Sequence, residues 1–178
     1  MNRAIFLDRD GTINKDKGYV YKIKDLELYK GVIKGLALLK DYKLFIITNQ
    51  SGINRGFFTI EDMEKFNNRL LRELSKNKII IQKIYYCPHT KEDRCKCRKP
   101  NTKFIAIAAK KYKLNLKKSW VIGDHPFDLA LAKRAGSKSV YLLTGHGKKH
   151  LNELKYKPEI IAGNILKAAR EIVKNDTT

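Results

Sequence analysis

The chain has 178 residues, of which 43% are hydrophobic, so it is long enough and apolar enough to bury a core and does not have the composition of a disordered protein. No apolar run approaches the roughly 20 residues that span a bilayer, which argues against a membrane partner. Met1 leads through Asn2 and Arg3 into an apolar stretch without a signal-peptide pattern, and we therefore expect a cytoplasmic protein.

The chain is strongly basic. Its 38 lysine and arginine residues face 18 aspartate and glutamate residues, which gives a formal net charge of +20. Such a balance suits phosphate groups, either on nucleic acid or on a small metabolite. Because the lysines are spread through the whole chain, solvated surface charge explains them better than a nucleic-acid surface, although that alternative stays open.

The first predicted element is a buried strand over Ala4–Leu7, which ends at two acids one residue apart, Asp8 and Asp10. A strand that ends in this way delivers carboxylates to the edge of an α/β sheet, where ligands bind. Side chains alternate along an extended chain, so both acids lean the same way. Two like charges at this distance need a divalent cation or a shared proton. A surface turn is the alternative reading of this segment.

Strands and helices alternate along the remaining chain. After a polar loop over residues 14–30, apolar spacing predicts a helix over 32–40, and Thr59 with Asp62 forms a capping box that opens a helix reaching residue 74. Further helices are predicted around 104–109, over 129–136 and over 161–173. Further strands are predicted over 44–48, 79–86, 120–122 and 139–143.

This alternation predicts an α/β fold, a Rossmann-like three-layer sandwich with a central parallel sheet. The sequence has no internal repeats, low-complexity tracts or linkers, and we expect residues 1–178 to form a single domain. No segment is long enough for a large cap domain, so selectivity has to come from short loops after the strands.

A polar loop contains all three cysteines, Cys87, Cys95 and Cys97, together with His89. Three thiolates and one imidazole suit tetrahedral Zn²⁺, whereas a disulfide is not expected in the cytoplasm and buried inert cysteines fit a polar loop poorly. Four protein ligands make a closed, structural site. We expect this zinc-binding loop to fix the residues that follow it, which include Lys99.

Polar residues follow the first, second and fourth predicted strands, and Lys99 follows the cysteines of the zinc loop. Together these residues supply four acids, one hydroxyl group and one ammonium group: Asp8, Asp10, Thr48, Lys99, Asp124 and Asp128. In this order they resemble the haloacid dehalogenase superfamily of phosphatases, and the match extends over most of the chain. The resemblance implies that Asp8 is the nucleophile that forms an aspartyl-phosphate and that Asp10 is the general acid and base.

The same resemblance implies that Mg²⁺ is bound by Asp8, the Asp10 backbone carbonyl and Asp124. Thr48 and Lys99 would bind the transferred phosphoryl group. Asp128 could tune the metal from outside its ligand set or favour the start of a helix, and the sequence leaves both roles open.

Three segments further resemble the heptose bisphosphate phosphatases, in a branch that also holds histidinol phosphatases: the segment that begins at Asp8, Gly18-Tyr-Val, and Asn49-Gln-Ser-Gly-Ile-Asn-Arg-Gly. The resemblance implies removal of the 7-phosphate of D-glycero-D-manno-heptose 1,7-bisphosphate, with histidinol phosphate or a nucleic-acid 3′-phosphate as alternative substrates. It implies a substrate pocket formed by Asp16, Gly18, Tyr19, Asn49, Gln50, Ser51, Arg55 and Arg98. Arg55 and Arg98 suit a second phosphate, although Arg55 could also be a solvated loop residue.

The sequence departs from the heptose enzymes in two places. The zinc loop is as short as in histidinol phosphatases, and His125 stands where lysine is common, so it is either a weaker phosphate donor or a turn residue. We expect His146 and His150 to be exposed. The alternative class of protein is a zinc-stabilised nucleic-acid-binding module without catalysis, but binding alone needs no nucleophile. We therefore expect an enzyme that acts on a small phosphorylated sugar rather than on nucleic acid. We also expect it to be a monomer.

Overall fold

The computed structural model describes residues 1–176, which contain a parallel sheet of six strands in the order β3-β2-β1-β4-β5-β6. In chain order the strands are β1 (Ala4–Leu7), β2 (Lys43–Asn49), β3 (Ile81–Cys87), β4 (Trp120–Gly123), β5 (Lys138–Leu142) and β6 (Ile160–Ala162). The helices are α1 (Val32–Leu38), α2 (Ile60–Ser75), α3 (Lys103–Tyr112), α4 (Pro126–Ala135) and α5 (Ile165–Asp176). The expected Rossmann-like parallel fold is confirmed.

The central strand β1 shows why the core has two halves. Ile5 and Leu7 pack in a cluster with side chains of α1, α2 and α5 on one face of the sheet. Ala4 and Phe6 pack on the opposite face, against side chains of α3 and α4. All four β1 residues are fully buried. A strand covered on both faces is apolar at every position, which explains the uninterrupted run before Asp8.

Two helix ends follow the expected local rules. At the start of α2 the Thr59 hydroxyl accepts from the Asp62 N–H at 3.1 Å, and the Asp62 carboxylate accepts from the Thr59 N–H at 3.0 Å. The predicted capping box is therefore present. Helix α4 ends at Gly136, whose φ of 68° is the left-handed conformation common after helices.

The predicted last helix is wrong at its start. Ile161 belongs to the short edge strand β6, where it is 52% exposed, and α5 begins only at Ile165. Three residues are too few to show a strand period, and their apolar spacing merges with that of the helix that follows. Within residues 1–176, no helix is long and apolar enough to cross a membrane, and no cap domain interrupts the order of elements.

Candidate active site

The carboxyl ends of three neighbouring strands bring together the side chains that the sequence singled out. Asp8 follows β1, Asp124 follows β4, and Thr48 lies near the end of β2. Because β1 pairs with both β2 and β4, the three residues meet at one edge of the sheet. The Asp8 N–H donates to the Ile122 carbonyl at 2.9 Å, which extends the β1–β4 ladder up to the first acid.

Lys99 is placed between two carboxylates. Its Nζ lies 2.8 Å from Asp8 Oδ1 and 2.7 Å from Asp128 Oδ1, and its side chain is 5% exposed. Burial disfavours the charged ammonium, but the carboxylates of Asp128 and Asp8 outweigh it, so the pKa of Lys99 is raised. Asp128 also accepts from the His125 N–H at 3.2 Å as part of the α4 cap, so it has both a helix-capping and a lysine-binding contact.

The site carries more negative than positive charge. Burial, together with the charges of Asp128 and Asp124, raises the pKa of Asp8 well above its usual range despite the opposing effect of Lys99. Burial and the charge of Asp128 raise the pKa of Asp124 to about 6. Asp124 accepts hydrogen bonds from the Thr12 hydroxyl at 3.2 Å and the His146 N–H at 2.8 Å, both neutral donors. Asp8, Asp124 and Asp128 thus lie around one ammonium, which forms ion pairs with Asp8 and Asp128.

These carboxylates fit a hard divalent cation. Oxygen atoms of Asp8, Asp124 and Asp128 all lie within 4.8 Å of one another. Oxygen-only ligand sets of this kind suit Mg²⁺, and a cation supplies the positive charge that the three acids lack. Both oxygens of Asp128 already accept hydrogen bonds, Oδ1 from Lys99 and Oδ2 from the His125 N–H, whereas the contacts of Asp8 with Lys99 and with the Arg9 N–H are both made by Oδ1. The pair formed by Asp8 and Asp124 is therefore the better candidate for direct metal contact.

The carboxylate of Asp10 accepts hydrogen bonds from three neighbouring side chains. Oδ1 accepts from Arg9 Nε at 3.0 Å and from Asn14 Nδ2 at 2.9 Å. Oδ2 accepts from Arg9 Nη2 at 2.8 Å and from Gln50 Nε2 at 2.9 Å. Gln50 Nε2 also lies 2.8 Å from Thr48 Oγ1, which connects this acid to the hydroxyl on β2.

These residues open into a cavity of about 310 Å³. Every predicted catalytic, substrate-binding and magnesium-binding residue except Arg55 lines this cavity: Asp8, Asp10, Asp16, Gly18, Tyr19, Thr48, Asn49, Gln50, Ser51, Arg98, Lys99, Asp124 and His125. Phe127, Asp128 and His146 complete the lining. Arg55 is exposed, its N–H donates to the Ser51 carbonyl at 3.1 Å, and it is not among the described residues that line this cavity.

The cysteine loop forms a compact group of ligand atoms. The Sγ atoms of Cys87, Cys95 and Cys97 lie 3.2 to 3.5 Å apart, and His89 Nδ1 lies 3.6 Å from Cys87 Sγ and 3.2 Å from Cys97 Sγ. These separations are too long for a disulfide and close to the edges of a tetrahedron of about 3.7 Å expected around Zn²⁺. The four residues therefore fit a zinc ion.

This loop is joined directly to the cavity. The Cys87 carbonyl accepts from the Gln50 N–H at 2.7 Å, and Arg98 Nη1 donates to the His89 carbonyl at 3.0 Å. The Lys99 N–H donates to Asn49 Oδ1 at 3.0 Å. Cys97, a candidate zinc ligand, is thus only two residues from Lys99, whose backbone N–H is hydrogen-bonded to the last residue of β2.

The three histidines outside the zinc loop lie together. The His125 ring lies 4.9 Å from the His150 ring, which is itself 6.0 Å from the His146 ring. Burial lowers the pKa of His125. The expected exposure is found for His146, whose side chain is 51% exposed and whose Nε2 lies 3.2 Å from Asp16 Oδ2. It is wrong for His150, whose side chain is 18% exposed and is hydrogen-bonded to Glu153.

Sequence reasoning missed two residues of this region. Arg9 stands between the two acids, and in an ideal strand its side chain would point away from both of them. The arginine side chain is nevertheless long enough for its guanidinium to reach back to the Asp10 carboxylate. His146 was missed because its loop lies far along the chain from the cavity's other segments. Its Gly-rich setting gave no signal of a cavity.

A family model described as HAD-hydrolase-like matches residues 96–168. A D-glycero-beta-D-manno-heptose-1,7-bisphosphate 7-phosphatase of Helicobacter pylori is 44% identical over 149 residues, covering 80% of this chain and 84% of that protein. The D-glycero-alpha-D-manno-heptose-1,7-bisphosphate 7-phosphatase of Campylobacter jejuni is 41% identical, covering 83% of this chain and 86% of that protein.

A solved structure shows the same likeness. The D,D-heptose 1,7-bisphosphate phosphatase from B. bronchiseptica, complexed with magnesium and phosphate, superposes with a TM-score of 0.90 at 27% identity and covers 97% of this chain and 99% of that one. Sequence identity above 40% and a shared fold over nearly the full length agree. The chain therefore belongs to the heptose-1,7-bisphosphate 7-phosphatase family of HAD-like hydrolases, which are phosphoric monoester hydrolases.

Proposed function

We propose that this enzyme removes the 7-phosphate of D-glycero-D-manno-heptose 1,7-bisphosphate through an aspartyl-phosphate on Asp8. The observation that carries the proposal is the placement of the Asp8 carboxylate beside Lys99 and Asp124 at the floor of a cavity that fits a small metabolite. The names of the relatives supply the substrate class, and they include both alpha and beta anomers.

The two steps follow from the positions of the two acids. In the first, an Asp8 oxygen attacks phosphorus, the bond between phosphorus and the sugar oxygen breaks, and Asp10 gives its proton to that oxygen. In the second, Asp10 takes a proton from water, the resulting hydroxide attacks phosphorus, and the bond to Asp8 breaks. Lys99 and the Thr48 hydroxyl bind phosphoryl oxygens in both steps.

The two metals have different roles in this proposal. Asp8, Asp124 and the Asp10 carbonyl would hold Mg²⁺, which supplies positive charge against the phosphate and the surrounding carboxylates. The sulfur atoms of the three cysteines and Nδ1 of His89 would hold Zn²⁺ as a structural ion. Zinc would fix the loop that leads from Cys97 to Lys99, the lysine proposed to bind the phosphoryl group.

Substrate selection is proposed to depend on the rim of the cavity. Arg98 is the best-placed guanidinium for the second phosphate, because it lines the cavity and is steadied by the His89 carbonyl. Asp16, Gly18, Tyr19, Asn49, Gln50 and Ser51 are proposed to contact the sugar, with His125 as a further donor. Arg55 is not included, since it lies outside the lining.

Histidinol phosphate is the second candidate substrate, because the zinc loop is short. The test is phosphate release with Mg²⁺ from both heptose bisphosphate anomers, histidinol phosphate and a 3′-phosphorylated oligonucleotide. We expect one heptose anomer to have the highest kcat/KM and Asp8→Asn to abolish turnover of all substrates. Asp41→Asn, at an exposed acid, is the matched control and should match the wild-type enzyme. Preferential turnover of histidinol phosphate would overturn the substrate assignment, and turnover by Asp8→Asn would overturn the covalent mechanism.

We also propose that residues 1–178 act as one domain and as a monomer in the cytoplasm. The core clusters on the two faces of one sheet support the single domain, and a reducing compartment suits three free thiols that bind zinc.

A further inference from the structure

Arg9 is a fully buried arginine beside the proposed acid and base. Arginine is almost never fully buried unless it is paired, and the guanidinium here is paired with Asp10. Nε and Nη2 donate to the two carboxylate oxygens at 3.0 and 2.8 Å. This two-point contact fixes the plane of the carboxylate as well as its position.

The guanidinium is itself held from other directions. Nη1 donates to Asn67 Oδ1 on α2 at 2.8 Å, and Nη2 donates to the Val20 carbonyl at 2.8 Å. The guanidinium carbon lies 4.7 Å from the centre of the Phe66 ring. Helix α2 and the loop after β1 therefore fix the guanidinium of Arg9, and the guanidinium in turn fixes the Asp10 carboxylate relative to both elements.

Two further donors complete the contacts of Asp10. Asn14 and Gln50 donate to the same two oxygens, so the carboxylate accepts four hydrogen bonds in total. A carboxylate offers about four lone-pair sites, so this network specifies one orientation. When Asp10 carries a proton, the proton takes the place of one donor, and Gln50 can give way because its Nε2 also lies 2.8 Å from Thr48 Oγ1. Arg9 supplies two of the four bonds and the only charge among the donors.

We propose that Arg9 is a positioning residue that sets the orientation in which Asp10 delivers its proton. The proposal rests on the phosphatase chemistry proposed above. Arg9 does not line the cavity, so it acts through Asp10 and does not touch the substrate. Its effect should depend on how much the leaving group needs a proton. A sugar alkoxide needs one as the bond to phosphorus breaks, whereas a nitrophenolate leaves readily without one.

The test compares kcat/KM of Arg9→Lys on a heptose bisphosphate and on 4-nitrophenyl phosphate, because kcat/KM reports the step up to phosphoryl transfer. Lysine keeps the charge and loses the two-point contact. We expect a loss of about tenfold to a hundredfold on the sugar phosphate and little change on the aryl phosphate. Asp10→Asn should show the same selectivity with a larger loss. Arg69→Lys, at an exposed arginine of α2, should match the wild-type enzyme on both substrates.

Equal losses on both substrates would mean that Arg9 only supports the fold and would overturn the proposal, as would unchanged activity on both. If Arg9→Lys does not fold, Asn67→Ala removes one anchor of the guanidinium and should give a smaller loss with the same selectivity, and equal losses there would also overturn it. The proposed substrate is tested separately, because any alkyl phosphate that the wild-type enzyme hydrolyses can replace the heptose bisphosphate. A wild-type enzyme that hydrolyses no phosphate monoester would overturn both proposals.

Discussion

Asp124 is surrounded so closely by backbone that its position depends on two glycines. A Cβ atom on Gly11 would lie 2.3 Å from Asp124 Oδ2, and one on Gly145 would lie 2.2 Å from the same atom. The Thr144 hydroxyl donates to the Gly11 carbonyl at 2.7 Å, which holds the two glycine segments together. The metal-binding carboxylate proposed here therefore tolerates no side chain at either neighbour.

Replacement of Gly11 by alanine should damage the active site more than the fold. The φ of Gly11 is +83°, so alanine there has a backbone cost of about 1–2 kcal/mol, and its Cβ also displaces the Asp124 carboxylate. We expect kcat to fall about a hundredfold, since misplacement of a catalytic group by about 1 Å costs that much. Steady-state kinetics over a range of Mg²⁺ concentrations measures the loss.

Gly56 provides the matched control. Its φ of +71° carries a similar backbone cost, but an added Cβ has no atom within 4 Å. Gly56→Ala should therefore lose a similar free energy of unfolding and keep its activity. If the two alanine variants lost activity equally, backbone strain rather than contact with Asp124 would be the cause.

At the scale of elements, the loop between β3 and α3 has no helix or strand of its own. Its order comes from the four ligand residues and from hydrogen bonds, including the bond from Asn101 Nδ2 to the Cys95 carbonyl at 2.8 Å. The backbone N–H of Asn54 also donates to the Pro88 carbonyl at 3.3 Å. Because the loop has no helix or strand, we expect it to depend on the proposed zinc ion for a fixed shape.

Removal of zinc should lower activity through Lys99. Without the proposed ion we expect the cysteine thiols to separate, the segment up to Arg98 to lose its shape, and Lys99 to lose its position beside Asp8. We expect a fall in kcat of about tenfold to a hundredfold, the range seen when groups that support a site are lost. Phosphate release by chelated enzyme resupplied with Mg²⁺ measures the effect.

Addition of zinc to the chelated enzyme should restore activity, which separates loss of the ion from damage by the chelator. The variant His89→Gln lacks one proposed zinc ligand, so we expect its kcat, measured without any chelator, to fall about as far as that of the chelated wild-type enzyme. Full activity in a zinc-free, magnesium-replete sample would show that the loop holds its position without the metal.

Strands and helices with a strong local pattern could be predicted from the sequence. The buried run before Asp8, the Thr59 capping box and the Gly136 helix end each depend on neighbouring residues, and the structure confirms all three. Strand β6 could not be predicted, because it consists of three residues and its strand partner is β5. Its existence depends on a partner distant in sequence.

The residues of the site divide in the same way, into those with a local sequence pattern and those placed by parts of the chain that are distant in sequence. Asp8 and Asp124 could be predicted because each ends an apolar strand, and parallel strands bring such ends together. The contact of Arg9 with α2 and the contact of His146 with Asp16 depend on how loops fold over the sheet edge. For Arg55 the sequence left two roles open, a pocket residue or a solvated loop residue, and its exposed position outside the cavity lining favours the second.

At the scale of the whole molecule, one carboxylate connects distant parts of the chain. Asp176, at the end of α5, accepts from Arg3 Nη1 at 2.8 Å and from the Tyr42 hydroxyl at 2.5 Å through the same oxygen. The guanidinium carbon of Arg3 also lies 4.5 Å from the centre of the Tyr42 ring. The start of β1, the segment before β2 and the end of α5 are thus held together on the side of the sheet away from the cavity.

This cluster gives stability a defined dependence on alkaline pH. Burial, together with the hydrogen bond to Asp176, raises the pKa of Tyr42 from its usual 10.0 to about 12. Because the folded state binds the phenolic proton more tightly than the unfolded state, the contribution of Tyr42 is fully present below pH 10 and is lost as the pH rises to about 12.

Tyr42→Phe should therefore lower the free energy of unfolding by about 1 kcal/mol at neutral pH, the usual value of one hydrogen bond, and the difference from the wild-type protein should shrink between pH 10 and pH 12. Urea unfolding at a series of pH values measures it. Tyr141, whose pKa burial also raises to about 12, is present in both proteins and does not affect the difference. Tyr156→Phe, at a partly exposed ring, should follow the wild-type protein throughout. A difference between Tyr42→Phe and the wild-type protein that stayed constant up to pH 12 would show that the Tyr42 hydroxyl does not hold its proton more tightly in the folded state.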